Sequence, residues 1–248
     1  MSKTFETGLA KNVANFETLI SYVVGYGPAY NPSNAAIQLS SLQAKAETAK
    51  AAMATTNELL ASYTTAVAAR KVAFEPLSKL STRIFNSLKA TTATQANIDN
   101  AESNHRKLQG RRASAVLTEA EKESLTAEGK TANQISASQR SFDNQLETLD
   151  KQIKLLSTIS AYNPNETELQ LTSLRNLYND LLQKNRQVIN DEAALSSGRI
   201  ARDKEIDGET SGMISLALTA KDYTKSLFGQ SSQEFKQISG LSFSRPKI

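Results

Sequence analysis

One histidine and one basic run hold the residue types best suited to chemistry in this chain. His105 sits in "SNHRKLQ", and the wider stretch "HRKLQGRR" (105–112) gathers His105, Arg106, Lys107, Arg111 and Arg112. As a general base, His105 would need an oriented carboxylate and a nucleophile within reach, and the sequence nominates neither. A solvated surface histidine is the expected reading. The basic run could clamp phosphates or contact an acidic protein partner. No aromatic residues interleave with it for base stacking, so a solvated basic loop is expected and nucleic acid is a disfavoured partner. "RRAS" (111–114) also resembles a basophilic kinase site, a pattern short enough to arise by chance.

The carboxylates form a second group. Asp191-Glu192 and Asp203/Glu205/Asp207 stand among Arg199, Arg202 and Lys204. Ion pairs three or four residues apart on one helix account for them. A di-metal carboxylate bundle would carry Glu-x-x-His motifs, and there are none. No Gly-rich phosphate loop or nucleophile elbow occurs. The chain has no Cys, which removes disulfides, thiolate metal sites and Cys nucleophiles. No catalytic residue, cofactor or metal is therefore expected.

The elements that carry these residues are helical. Gly and Pro number only 10 and 5 in 248 residues, while Ala, Ser, Thr, Leu, Gln and Lys dominate, a palette for long helices. Net charge is +4, and residues 1–132 hold all of the excess, with 15 Lys/Arg against 11 Asp/Glu. The excess is local to 105–112 and offers no broad nucleic-acid footprint. The N-terminal stretch shows no apolar run behind its Lys, so a cytoplasmic protein without a signal peptide is expected, with leaderless export left open. The most apolar windows, 19–26 and 213–220, fall far short of the ~20 residues that span a bilayer.

An internal repeat organises the pattern. Tyr30-Asn31-Pro32 recurs as Tyr162-Asn163-Pro164, and Leu39, Leu42 and Arg70 match Leu171, Leu174 and Arg202 at one constant offset. The order of matches predicts a duplication. The parts are a first repeat unit at 1–90, a polar connector with a basic loop and short helix at 91–132, a second unit at 133–228, and a short helix with an extended arm at 229–248. Each Asn is expected to cap a long helix that its Pro begins, with Tyr packing the corner. Those helices should run over about 32–75 and 164–206.

The first long helix carries Leu39, Leu42, Ala46, Ala49, Met53, Thr56, Leu60, Tyr63, Val67, Arg70 and Phe74 at alternating spacings of three and four, a heptad seam. In the second, Asn185 and Glu192 fall on the seam, where buried polar groups would set register or pair with a neighbour; alternatively the seam rotates, since Leu177, Leu182 and Ile189 widen it. Thr118 and Glu121 should form a capping box. The expected fold is all-α, an elongated antiparallel helical bundle or coiled coil of two duplicated units.

The stretches "AKNVANFETLISY", "GYGPAYNPS", "AFEPLSKLSTRI", "KLQGRR" and "KQISGLSFSRPK" resemble a group of helical bacterial proteins with no established function. The resemblance implies a helical fold and no site residue. The expected role is a non-enzymatic structural or interaction protein that self-associates through helical faces. The alternatives are a membrane-active helical protein resembling a component of an α-helical pore-forming toxin, and a weak phosphate or nucleic-acid binder through 105–112.

Overall fold

The computed structural model describes residues 3–111, 118–129 and 140–245. Among them every regular element is a helix: α1 (Lys3–Tyr26), α2 (Leu39–Phe74), α3 (Leu77–Lys89), α4 (Gln95–Leu108), α5 (Glu119–Ala127), α6 (Phe142–Ser157), α7 (Leu171–Asp207), α8 (Met213–Phe228) and α9 (Gln233–Ser239). The protein is an all-α helical bundle. No helix among the described residues is long and apolar enough to cross a membrane.

Two compact units divide the chain, and the cuts fall inside the long helices. The first takes residues 1–63 and 191–248; the second takes 64–190. Each therefore draws one corner from one expected repeat and one shorter helix from the other.

In the first unit, α1 buries Leu9, Val13, Phe16, Leu19, Ile20 and Val23 on one stripe. The spacing is that of an amphipathic helix, and the stripe packs with Leu42, Ala46 and Ala49 of α2 and Met213, Ala217 and Ala220 of α8. Here α2 and α7 run antiparallel, because Lys45 meets Glu205, Thr56 meets Gly198 and Ser62 meets Asp191. They approach closely at Gly198, where a Cβ would lie 2.6 Å from Leu59 Cδ1. α7 ends at a tighter place. A Cβ on Gly208 would stand 2.5 Å from the Lys204 carbonyl oxygen, and one on Gly212 would stand 2.3 Å from the Gly208 nitrogen.

In the second unit, Leu146, Leu149, Ile153 and Leu156 of α6 pack with Leu77, Ile84 and Leu88 of α3, Ala101 and Leu108 of α4, and Leu174 and Leu181 of α7. Asn185 is 3% exposed on the seam. Its carbonyl accepts from Arg70 Nη1 at 2.8 Å and its amide donates to Asp143 Oδ1 at 2.7 Å. Glu192, expected on the same seam, is exposed instead. Leu60 is likewise more than a third exposed, and Leu59 turns inward in its place.

The Tyr-Asn-Pro corners do not start the long helices, contrary to the sequence reading. Tyr30, Asn31 and Pro32 are non-helical; a single 3₁₀ turn at Ala35–Ile37 follows, capped by Asn34 rather than Asn31, and α2 begins at Leu39. Tyr162, Asn163 and Pro164 lead in the same way to a 3₁₀ turn at Thr167–Leu169 and to α7 at Leu171, with no capping bond from the Glu166 side chain. Pro holds the preceding Asn away from helical geometry. The Tyr hydroxyl then ties each corner to the 3₁₀ turn that precedes the long helix. Tyr30 Oη donates to the Ile37 carbonyl at 3.0 Å, and Tyr162 Oη donates to the Leu169 carbonyl at 2.9 Å. Gln38 and Gln170 accept the first helical bonds, from Leu42 and Leu174.

The last carboxylates of α7 find partners off their own helix as well as on it, which corrects the sequence reading. Glu205 takes Lys45 at 2.8 Å and Asp207 faces Arg245 at 3.3 Å, while Asp203 binds its neighbour Arg202 at 2.9 Å. Arg202 is 1% exposed. The capping box at Thr118 and Glu121 forms as expected.

Candidate functional site

Two groupings of polar side chains merit comparison, one at the end of α4 and one along α1 and α8.

α4 begins at an N-cap, Thr94, whose hydroxyl accepts from the Asn97 amide. It ends where Gly110 takes a left-handed φ of 67°. The Gly110 amide bonds the Lys107 carbonyl and the Arg111 amide bonds the Arg106 carbonyl, each at 2.9 Å, which closes the helix in a Schellman motif. Residues 105–108 are thus the last turn of the helix. His105, Arg106 and Lys107 sit where cations complement the helix dipole.

His105 is not a solvated surface group. Its ring stacks on Phe85 with centroids 5.0 Å apart, and its Nδ1 lies 2.9 Å from the hydroxyl of Ser81, which is buried. Burial pushes the imidazole below the ordinary histidine value and Arg111 adds to this, while Glu102 and the Ser81 contact oppose it. The neutral ring is therefore favoured, which suits packing. Gln109 ties the same end to α3, donating to the Ser78 carbonyl at 2.6 Å and to Thr82 Oγ1 at 2.9 Å.

Of the basic residues, Arg106 and Lys107 are half-buried and Arg111 is exposed; Arg112 lies outside the described residues. Lys107 is close enough to Glu147 to help hold that carboxyl below its usual range, after the larger effect of Lys151. Arg140, which the sequence reading left aside, covers Gly110: a Cβ there would sit 2.8 Å from Arg140 Nε. No group of three or more His, Cys, Asp or Glu side chains among the described residues could hold a metal. The arrangement can present cations to an anion, but its histidine serves packing.

The second grouping holds the extended C-terminal arm. Asn12 Nδ2 donates to the Ser244 carbonyl at 2.8 Å, and the Ser244 amide donates to Asn12 Oδ1 at 3.1 Å. Asn15 Nδ2 donates to the Ser242 carbonyl at 2.7 Å. From α8, Lys221 Nζ donates to the carbonyls of Ser239 and Leu241 at 3.0 and 2.9 Å. Leu241 and Phe243 pack against the core between these bonds. Arg245 Nη2 donates to Ser215 Oγ at 2.8 Å. Burial pushes the Lys221 amine down, with Asp222 opposing. Asn12 was legible as an anomaly: it is polar yet follows Leu9 and precedes Phe16 on the apolar stripe of α1.

Comparison with family models, curated proteins and solved structures finds no match. What the protein does must be argued from its own side chains.

Proposed function

We propose that the protein is a non-enzymatic structural or interaction protein that self-associates through helical faces. The observation that carries this reading is the set of large apolar side chains left in solvent on the long helices. Val72 of α2 is 67% exposed, and Ile189 and Ile200 of α7 are 54% and 69% exposed. Such residues on regular helices are suited to helix-on-helix contact, which buries about 1.5–3 kcal/mol per large apolar side chain.

The duplication read from the sequence, if it holds for the fold, would support the same reading, and the likeness of the two corners is in its favour. The two Tyr corners repeat one hydrogen bond across the same interval, and each is followed by a one-turn 3₁₀ helix and a long helix. Duplicated helical units carry related faces and are suited to matching contacts between copies.

Light scattering across micromolar concentrations tests the proposal. The expected result is a mass above that of one chain that falls when Val72, Ile189 and Ile200 are each replaced by Lys. A strict monomer throughout, with no partner on affinity capture, overturns it.

The convergence of Arg106, Lys107, Arg111 and Arg140 at the end of α4 favours a secondary reading as a weak anion contact. Helix-dipole complementarity accounts for the first two without any ligand, so this reading ranks below self-association.

A further inference from the structure

The C-terminal arm is held as a bound peptide is held. Its recognition is directed at main chain: Asn12 pairs with both polar groups of the Ser244 backbone, and Asn15 and Lys221 take the carbonyls of Ser242, Ser239 and Leu241. Two apolar anchors, Leu241 and Phe243, alternate with the bonded serines and face the core. Arg245 closes the end against Ser215 and Asp207. Asn12 is 1% exposed with the arm in place, so the arm both covers its amide and supplies its two partners. Extended strands that give main-chain bonds to a receptor and alternate side chains to pockets are a recurrent mode of peptide recognition.

We propose that the cleft formed by α1 and α8 is a receptor for an extended Leu-x-Phe-x-Arg segment, and that it takes residues 241–245 of a second copy of this chain in place of its own. The inference rests on the self-association reading and adds to the helical faces a second, separable contact. The bonds of Ser242, Ser244 and Arg245 to the cleft are available unchanged between two copies, while the bond of the Leu241 amide to the Ile238 carbonyl spans the hinge and is given up on exchange. Gly240, exposed and free of contact at its Cβ position, is where the arm leaves α9 and would redirect. Within one chain the arm has a high effective concentration, so exchange should build up slowly and at high protein concentration.

Two full-length variants test this. L241S/F243S leaves the cleft without a competent arm. N12A/N15A keeps the arm and removes the main-chain contacts of the cleft. Neither should dimerise through the arm alone, whereas an equimolar mixture should give a one-to-one heterodimer by light scattering. A fluorescent peptide of residues 238–245 should bind L241S/F243S saturably, and Phe243→Ala in the peptide should weaken it about tenfold or more. If L241S/F243S loses its helical circular dichroism, F243A replaces it in both assays. No heterodimer and no saturable peptide binding, with both variants helical, overturns the proposal. So does wild-type association that persists undiminished in L241S/F243S, an outcome that leaves the helical-face reading standing. Heterodimer formation beside a monomeric wild type supports the receptor while removing the wider association reading.

Discussion

Arg70 and Asn185 share a hydrogen bond of 2.8 Å within the seam of the second unit, and Asn185 passes the contact on to Asp143. Arg70 also lies over the Phe142 ring, 4.1 Å from its centroid. Removing only Asn185 leaves a half-buried guanidinium short of an acceptor. Asn185→Leu should cost about 1–3 kcal/mol in urea unfolding. Arg70→Met in that background should recover part of the loss, giving a coupling of at least about 0.5 kcal/mol. Additive single effects would mean that the two side chains do not act together.

The two corner tyrosines should behave as equals. Burial, more than any neighbouring charge, pushes both hydroxyls up to about 12 from an ordinary value of 10.0. The native state thus favours the neutral phenol. Their contribution is complete below pH 10, where the unfolded tyrosines are also neutral, and is lost as pH rises from 10 towards 12. Tyr30→Phe and Tyr162→Phe should each cost about 0.5–1.5 kcal/mol near neutrality, since a buried carbonyl loses its donor. The double Phe variant should show a flatter fall in melting temperature at alkaline pH, and tyrosinate absorbance should locate the raised ionisations directly.

Gly198 and Gly212 are both crowded, but by different atoms. The neighbour of Gly198 is the far end of the Leu59 side chain, which can swing aside. The neighbours of Gly212 are backbone atoms of Gly208 and Asp207, which cannot. Gly198→Ala should therefore cost under about 1 kcal/mol, and Gly212→Ala about 1–3 kcal/mol. Thermal melts of the two variants at one pH suffice, and equal costs would refute the distinction.

Helix periodicity made much of the fold readable from sequence. Leu42, Ala46, Ala49 and Phe74 are buried as their spacing requires, and the Thr118 capping box is local enough to be seen in four residues. The corners were misread because Asn-Pro is also a sound helix start. The bond that ties each corner to its 3₁₀ turn, from a Tyr hydroxyl to a carbonyl seven residues on, has no signature in composition. The α7 carboxylates were misassigned for a related reason. Periodicity names neighbours on the same helix, while Glu205 finds Lys45, 160 residues away. His105 showed its charge in the sequence but not the Phe85 ring that covers it. The arm itself was legible as extended; its receptor was visible only as one Asn out of place on an apolar stripe.

The division of the chain into residues 64–190 and the joined pair 1–63 and 191–248 has a consequence for biosynthesis. The second unit is contiguous and can close while residues 191–248 are still being made. α1 leaves the ribosome before the other helices of its unit, yet Asn12 waits for Ser244, 232 residues later. At roughly 5–20 residues per second, that interval is about 10–45 s. For that time the stripe from Leu9 to Val23 has no partner from α8 or the arm. The first unit is thus completed only after α8 and the arm have been made, long after the helix whose apolar stripe they cover.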